Sequence, residues 1–154
     1  MPWHGGGNEW CDRTDYKHVV DTLDSIPATG KYVVVYNPNI HYYHGHYTMI
    51  AAQVKAARLA MERALKRNPK ILLIVRGPHQ ANKKDAPLVG GDCVAPVFEQ
   101  IIRDEFKNMR DKVLFISPWD MTIAVWSGTY HPHYYVDDAI CDTFLDYVCN
   151  TLPE

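Results

Sequence analysis

Three short apolar runs alternate with longer amphipathic segments along this chain. The runs occupy residues 31–37, 70–77 and 112–117, and each is rich in β-branched or aromatic residues without polar alternation. Strands that are buried on both faces, as in a parallel sheet, have this composition because neither face meets water. The pattern therefore predicts three buried parallel strands.

The segments around these runs have the period of amphipathic helices. Between residues 48 and 67, apolar side chains recur at i, i+4 and i+7 with charged residues mainly on the other faces, and Asn68-Pro69 ends the pattern. The same spacing predicts helices over 94–109 and about 133–152, and a weaker one over about 15–26. Helices and strands thus alternate along the whole chain.

This alternation is typical of an α/β domain with a parallel sheet and right-handed crossovers. A chain of 154 residues suits one hydrophobic core. We therefore predict that residues 1–154 form a single three-layer α/β/α domain. The long turn-rich stretch 77–92 follows the second strand, where open α/β sheets usually place ligand loops.

Charge and hydropathy exclude two classes of partner. The formal net charge is −2 with Lys and Arg spread along the chain, which leaves no basic stripe for nucleic acid and no polybasic patch for a membrane. The longest purely apolar run, 71–75, is too short to span a bilayer, and the N-terminus has no signal-peptide pattern. We expect neither a nucleic-acid partner nor membrane insertion.

The cysteines leave two alternatives open. Cys11, Cys93, Cys141 and Cys149 contain no C-x-x-C pair, which disfavours a zinc ribbon or a thioredoxin-type motif. They form either two disulfides in an oxidising compartment or buried free thiols. Cys141 and Cys149 would lie about 12 Å apart along a straight helix, too far to bond to each other.

Polar residues follow each predicted strand, and the carboxyl ends of parallel strands meet at one edge of the sheet. The residues that we expect at this edge are Asn37, Asn39, His41, His79, Asp120, and then His131 or His133. A histidine ahead of the last helix is able to act as general base, and a carboxylate is able to orient its ring. The alternative is a solvent-facing loop in which Asp120 caps a turn.

The "HYYHGH" run contains three histidines, His41, His44 and His46, and three histidines are able to bind zinc. No Cys or carboxylate nearby completes a ligand set. We therefore expect no metal and no other cofactor. A solvated, tyrosine-rich rim suited to stacking against sugars is the favoured interpretation.

The block "SPWDMTIAVWSGTYHPHYYVDDAICDTFLDYVC" resembles the end of the C-terminal domain of the neurexophilin and PC-esterase (NXPE) family. In that family a D-M-T-I-A run is followed by His-Pro and by a helix that ends in Tyr-x-Cys. "YVVVYNPNIHYY", "YTMIAAQVKAARLAMERALKRNPKILLIVRG" and "FEQIIRDEFKNMRDKVLFISPWDMT" are similar to its preceding elements. The resemblance covers the chain from about Tyr16 to Cys149.

The resemblance implies an SGNH-hydrolase-like, flavodoxin-like α/β/α fold that cleaves or transfers acyl esters, often acetyl groups on glycans, in the secretory pathway or outside the cell. An O-acylated glycan is then the expected partner. His131 matches the late catalytic His, Asp120 the Asp of D-M-T, and His41 the His after the first strand. Asn37 or Asn39 matches the Asn that stabilises the oxyanion.

The chain departs from this pattern in two places. Gly128 stands where the wider superfamily carries the acid of Asp-x-x-His, and none of the three serines, Ser25, Ser117 and Ser127, lies in a Gly-Asp-Ser motif. We therefore expect a sheet truncated at its N-terminal strand, no turnover by this chain alone, and self-association through unpaired strand edges. The alternative function is a non-catalytic module that binds a glycan or a protein.

Overall fold

A computed structural model of the protein describes residues 17–38, 46–80, 91–125 and 131–151. Its elements in chain order are α1 (Val19–Asp24), β1 (Tyr32–Tyr36), α2 (Tyr47–Arg67), β2 (Ile71–Arg76), α3 (Gly91–Phe106), a short 3₁₀ helix (Lys107–Met109), β3 (Val113–Ile116), α4 (Pro118–Ala124) and α5 (Tyr134–Thr151). All three predicted strands and all four predicted helices are present, with shifts at their ends. The predicted burial of every strand on both faces is wrong for β1, because Val33 and Val35 are exposed.

The helix α4 is an addition to the sequence prediction, which places a loop after the third strand. Pro118 occupies the first helical turn, where its fixed φ suits a helix and its missing N–H costs nothing, and Asp120 lies in the same turn near the positive end of the helix dipole. Seven residues are too few to show a 3.6-residue period. These local start signals, rather than periodicity, indicate the helix.

The described strands form one parallel sheet in the order β1-β2-β3. Tyr32 lies opposite Ile71 at the start of the first pair, and Leu73 lies opposite Val113 at the start of the second. The parallel sheet with its helical connections confirms the α/β class.

Each face of the sheet carries an apolar cluster because successive strand residues point to opposite faces. On one face, Leu73 and Val75 pack with residues of α1, α2 and α3, including the fully buried Met61 and Ile102. On the other face, Ile74 and Ile116 pack with Val136 and Ile140 of α5, and with residues of α4. The two clusters together form the core.

The cluster with α5 does not extend over β1. Val35 lies opposite Ile74, so its side chain is on the same face, yet it is 51% exposed and Val33 is 37% exposed. Helix α5 contacts β3, the strand at the other side of the sheet. Val33 and Val35 therefore form an exposed apolar surface on β1, on the side of the sheet where α5 packs against β3. We call this surface the α5 face of β1.

The turn before β2 holds the connection between α1 and β1 in place. The Arg67 guanidinium donates to the Leu23 and Ile26 carbonyl oxygens, each at 2.8 Å. The Asn68 side chain donates to the Pro27 and Gly30 carbonyl oxygens, each at 3.1 Å. These bonds partner carbonyl groups at and just after the end of a short helix, where helical hydrogen bonding runs out.

The three described cysteines, Cys93, Cys141 and Cys149, are free thiols and are exposed. Of the two alternatives, free thiols hold for these three cysteines, but their burial does not: Cys141 and Cys149 lie on the part of α5 that faces away from the sheet, and Cys93 is exposed near the start of α3. Cys11 lies outside the described residues. In the described parts of the chain, no helix combines the length and the apolar character needed to cross a bilayer.

Candidate functional site

Four of the predicted site residues lie after strands or ahead of a helix, as the sequence indicates. Asn37 directly follows β1, His79 lies three residues beyond β2, Asp120 lies in the first turn of α4 after β3, and His131 precedes α5. Asn39 and His41 lie outside the described residues. The carboxyl edge of the sheet is therefore where the candidate site is built.

Arg76, the last residue of β2, joins two of the predicted residues. Its Nη1 donates to Asn37 Oδ1 at 3.3 Å and lies 3.5 Å from His79 Nδ1. The strand register explains the first contact, because β1 and β2 run side by side from Tyr32 and Ile71 to Tyr36 and Val75. The structure thus brings Asn37 and His79 together around one guanidinium.

Sequence reasoning missed Arg76 as a site residue. The signal was a single cation that closes the apolar run "ILLIVRG" at the point where the strand ends. A charged side chain there leaves the buried part of the sheet and reaches its edge. Residues of this kind sit where open α/β sheets bind ligands.

His79 is almost completely buried, with 2% of its surface exposed. Since a guanidinium only donates hydrogen bonds, its contact with Arg76 uses the lone pair of Nδ1. A side chain with so little surface offers little direct contact to a ligand. His79 therefore meets the strand-end residues through its contact with the Arg76 guanidinium.

The buried hydroxyl of Thr122 on helix α4 hydrogen-bonds to the loop after β2. The Gln80 amide N–H donates to Thr122 Oγ1 at 2.9 Å, and the same hydroxyl contacts the carbonyl oxygens of Pro118 and Trp119 at 2.9 Å. Thr122 is 3% exposed. This arrangement fixes the helix that carries Asp120 against the strand-end residues.

Asp120 and His131 are both exposed. Helix α4, which carries Asp120, packs against α5, which His131 precedes. Within the described parts of the chain, no hydrogen bond or ion pair joins these two side chains, and residues 126–130 between them lie outside the description. The predicted pairing of acid and base stays a prediction.

Ser117, at the end of β3, is held by a carboxylate. Its Oγ lies 2.8 Å from both carboxylate oxygens of Glu99 on α3, and Glu99 is also paired with Arg103 at 2.6 Å. The other described serine, Ser25, donates to the Thr22 carbonyl oxygen at 2.8 Å. Both described serine hydroxyls are therefore engaged in structural hydrogen bonds, and Ser127 lies outside the described residues.

A thiol also lies near the start of α3. Cys93 is the third residue of this helix and is exposed, and it follows Gly91-Asp92 in the sequence. The Gly-Asp pair of the implied motif is thus followed here by a cysteine where that motif has a serine. A pattern restricted to serine does not find it, although a thiol is the stronger nucleophile.

The described residues contain no group of three His, Cys, Asp or Glu side chains that is arranged to hold a metal ion. His46 caps α2, where its Nδ1 accepts a hydrogen bond from the Thr48 amide at 3.4 Å. His41 and His44 lie outside the description. The one described histidine of the "HYYHGH" run therefore has a structural role.

Comparison with known proteins agrees with the resemblance read from the residues. The family described as "NXPE family member 4-like, C-terminal domain" matches residues 2–149, which include every described strand and every predicted site residue. No solved structure shows a significant match to the chain. The family match covers nearly the whole sequence, and the chain therefore belongs to the NXPE family, matching its C-terminal domain.

Proposed function

We propose that this chain is an ester-handling domain related to carbohydrate O-acyl esterases and acyltransferases. The observation that carries the proposal is the Asn37–Arg76–His79 cluster at the carboxyl ends of β1 and β2. Asn37 accepts from Arg76 through Oδ1, so its Nδ2 group is the one that donates to a ligand. An amide donor beside a guanidinium suits the oxygen of an acyl group, where negative charge develops during ester cleavage.

His131 is the proposed base of this site, and Asp120 is the proposed acid that orients it. An imidazole takes a proton from the attacking group, and a carboxylate stabilises the imidazolium that forms. Family membership and the packing of α4 against α5 support this assignment. An O-acylated glycan is the proposed ligand.

A second candidate, a module that binds the glycan without cleaving it, is favoured by the engagement of Ser117 and Ser25 in structural hydrogen bonds. Exposed aromatic rings at the start of α5 add to it. The ring centroids of Tyr134 and Tyr135 lie 3.9 Å apart, and His133 stacks on Tyr135 at 4.6 Å. Such a platform suits the apolar face of a sugar, and for this chain alone we favour binding without turnover.

Hydrolysis of p-nitrophenyl acetate separates the two candidates. Catalysis through the proposed base predicts turnover that is lost in His131→Ala and kept in His133→Asn, a matched control because Asn still caps a helix. Loss of p-nitrophenyl acetate turnover in Cys93→Ala would identify the Cys93 thiol as the nucleophile.

Binding without turnover predicts no hydrolysis above the buffer rate and saturable binding of an acetylated oligosaccharide, measured by calorimetry. This binding should weaken in Tyr135→Ala and in Asn37→Ala. A chain that neither cleaves the ester nor binds the oligosaccharide would contradict both candidates.

A further inference from the structure

A cavity of about 390 Å³ lies between α3 and β3, near the start of that strand. Its lining residues are Arg103, Phe106, Arg110, Val113 and Phe115. Val113 is the first residue of β3, so the cavity begins at the amino end of the strand, opposite the edge that carries Asn37 and His79. Its volume falls in the range of about 300–1,000 Å³ that is usual for small-molecule sites.

The floor of the cavity is apolar and well packed. Phe106 is 4% exposed and Val113 is 9% exposed, so both are held by the core. Phe115 lies two residues after Val113 on the same face of the strand and is half-buried. An apolar group of a ligand would leave water on entering and gain contact with the Phe115 ring.

The two arginines at the cavity differ in what surrounds their charge. The Arg103 Nε and Nη2 atoms lie 2.7 Å and 2.6 Å from the Glu99 carboxylate, and its guanidinium lies 4.3 Å above the Phe115 ring centroid. Arg103 is thus fixed in place, and its charge is balanced by Glu99. Its Nη1 group takes no part in the contacts with Glu99.

Arg110 lies in the turn ahead of β3 and is exposed. In the parts of the chain that the structure describes, its guanidinium has no ion pair and no side-chain hydrogen bond. Because the charges of Arg103 and Glu99 offset each other, the cavity has a net charge of about +1, from Arg110. A ligand with one negative charge next to an apolar body would match this charge.

We propose that this cavity binds an organic monoanion, a carboxylate attached to an apolar body about the size of one ring with a short chain. Arg110 and the Nη1 group of Arg103 hold the carboxylate, since planar guanidinium groups match its two oxygens. The apolar body packs on Phe115, the half-buried ring of the lining. This site is separate from the strand-end residues and does not depend on the proposed ester chemistry.

Titration of the ¹⁵N-labelled full chain with 4-phenylbutyrate, followed by two-dimensional NMR, tests the proposal. We expect saturable shifts of backbone amides within 103–115, and no saturable shifts there with the uncharged 4-phenylbutanamide. Arg110→Gln should raise the Kd for 4-phenylbutyrate about five- to tenfold, as expected for one charge-assisted contact. Lys107→Gln is the matched control, because Lys107 is an exposed cation that does not line the cavity.

Four results would overturn the proposal. The amide could bind as tightly as the acid, the shifts could map to residues away from the cavity, or the two Gln variants could have equal effects. Tighter binding of phenyl phosphate than of 4-phenylbutyrate would contradict the monoanion. The comparison of acid with amide uses the unchanged chain, so it decides the question even if Arg110→Gln impairs folding.

Discussion

At the scale of a single residue, the buried side chain of Asn68 holds two turns of the chain together through hydrogen bonds. It is 1% exposed, donates to the Pro27 and Gly30 carbonyl oxygens, and accepts from the Lys70 amide at 3.0 Å. All the polar atoms of its side chain are therefore paired inside the fold. The bonds fix the path of the chain into β1, so we expect the cost of removing them to appear as lost global stability.

We predict that Asn68→Ala lowers the free energy of unfolding by about 2–4 kcal/mol, because three hydrogen bonds are lost and their partners stay partly buried. Urea denaturation measures this change. Asn108→Ala is the matched control, since Asn108 is exposed in the 3₁₀ helix, and its effect should stay within about 0.5 kcal/mol. Equal effects of the two substitutions would show that the buried hydrogen bonds add nothing to the free energy of unfolding.

The pair Asp24–Arg63 predicts how acid affects stability. The Arg63 Nε and Nη2 atoms donate to the two Asp24 carboxylate oxygens at 3.0 Å and 2.7 Å. These bonds first, and then the charges of Arg63 and Arg67, hold the pKa of the Asp24 carboxyl below its ordinary value of 3.8. The folded state therefore binds this proton less readily than the unfolded chain does.

A lowered pKa in the folded state stabilises the fold above the unfolded value and loses this effect as pH falls through the folded value. Asp24→Asn should therefore reduce stability at neutral pH, and the difference from the unchanged chain should shrink below pH 3.8. Denaturation between pH 2 and 7 measures it. Arg63→Gln should give the same pH profile, and the double variant should lose no more than either single variant; additive losses would contradict the pairing.

At the scale of whole elements, three of the described helices begin with a histidine N-cap. His18, His46 and His133 each precede a helix, and the Nδ1 atom of each accepts a hydrogen bond from the amide N–H two residues on, at 3.3–3.4 Å. The Thr48 hydroxyl adds a second contact to His46 Nδ1 at 2.8 Å. Each imidazole thus partners one of the N–H groups that a helix start leaves unpaired.

We predict that His46→Ala lowers the free energy of unfolding by about 0.5–1 kcal/mol and that His46→Asn restores most of it, because Asn caps helices well. Urea denaturation of the three proteins measures the difference. If Ala were tolerated as well as Asn, the His46 ring would not contribute through its cap.

At the scale of the whole molecule, the exposed α5 face of β1 bears on association between copies of the chain. Val33 and Val35 lie on a strand whose described pairing is with β2 alone. Apolar side chains next to a strand edge are where chains of this kind associate. We propose that the protein self-associates through this surface.

Sedimentation velocity over a range of concentrations tests this proposal. We expect the unchanged chain to form larger species as its concentration rises and the double variant Val33→Thr, Val35→Thr to stay monomeric. Thr retains the β-branched shape, so the strand itself should persist. Val97→Thr is the matched control, because Val97 is 50% exposed on α3. A monomer at every concentration would contradict the proposal.

Local patterns were enough to predict the strands, the main helices and the α/β class. The apolar runs and the i, i+4, i+7 spacing are properties of neighbouring residues, and they depend little on how the chain folds back. The block from Ser117 to Cys149 was likewise enough to indicate the NXPE family, which the match over 2–149 confirms. Helix α4 escaped this reasoning because one or two turns show no period.

The partners of side chains were decided only by the tertiary structure. The sequence by itself placed Asn37 and His79 at one edge of a sheet, but their meeting around Arg76 depends on two strands lying in register. In the same way, the pairing of Ser117 with Glu99 depends on how α3 packs beside β3. Such contacts join residues far apart in the chain, so no local pattern encodes them, whereas helices and strands follow from the order of apolar and polar residues.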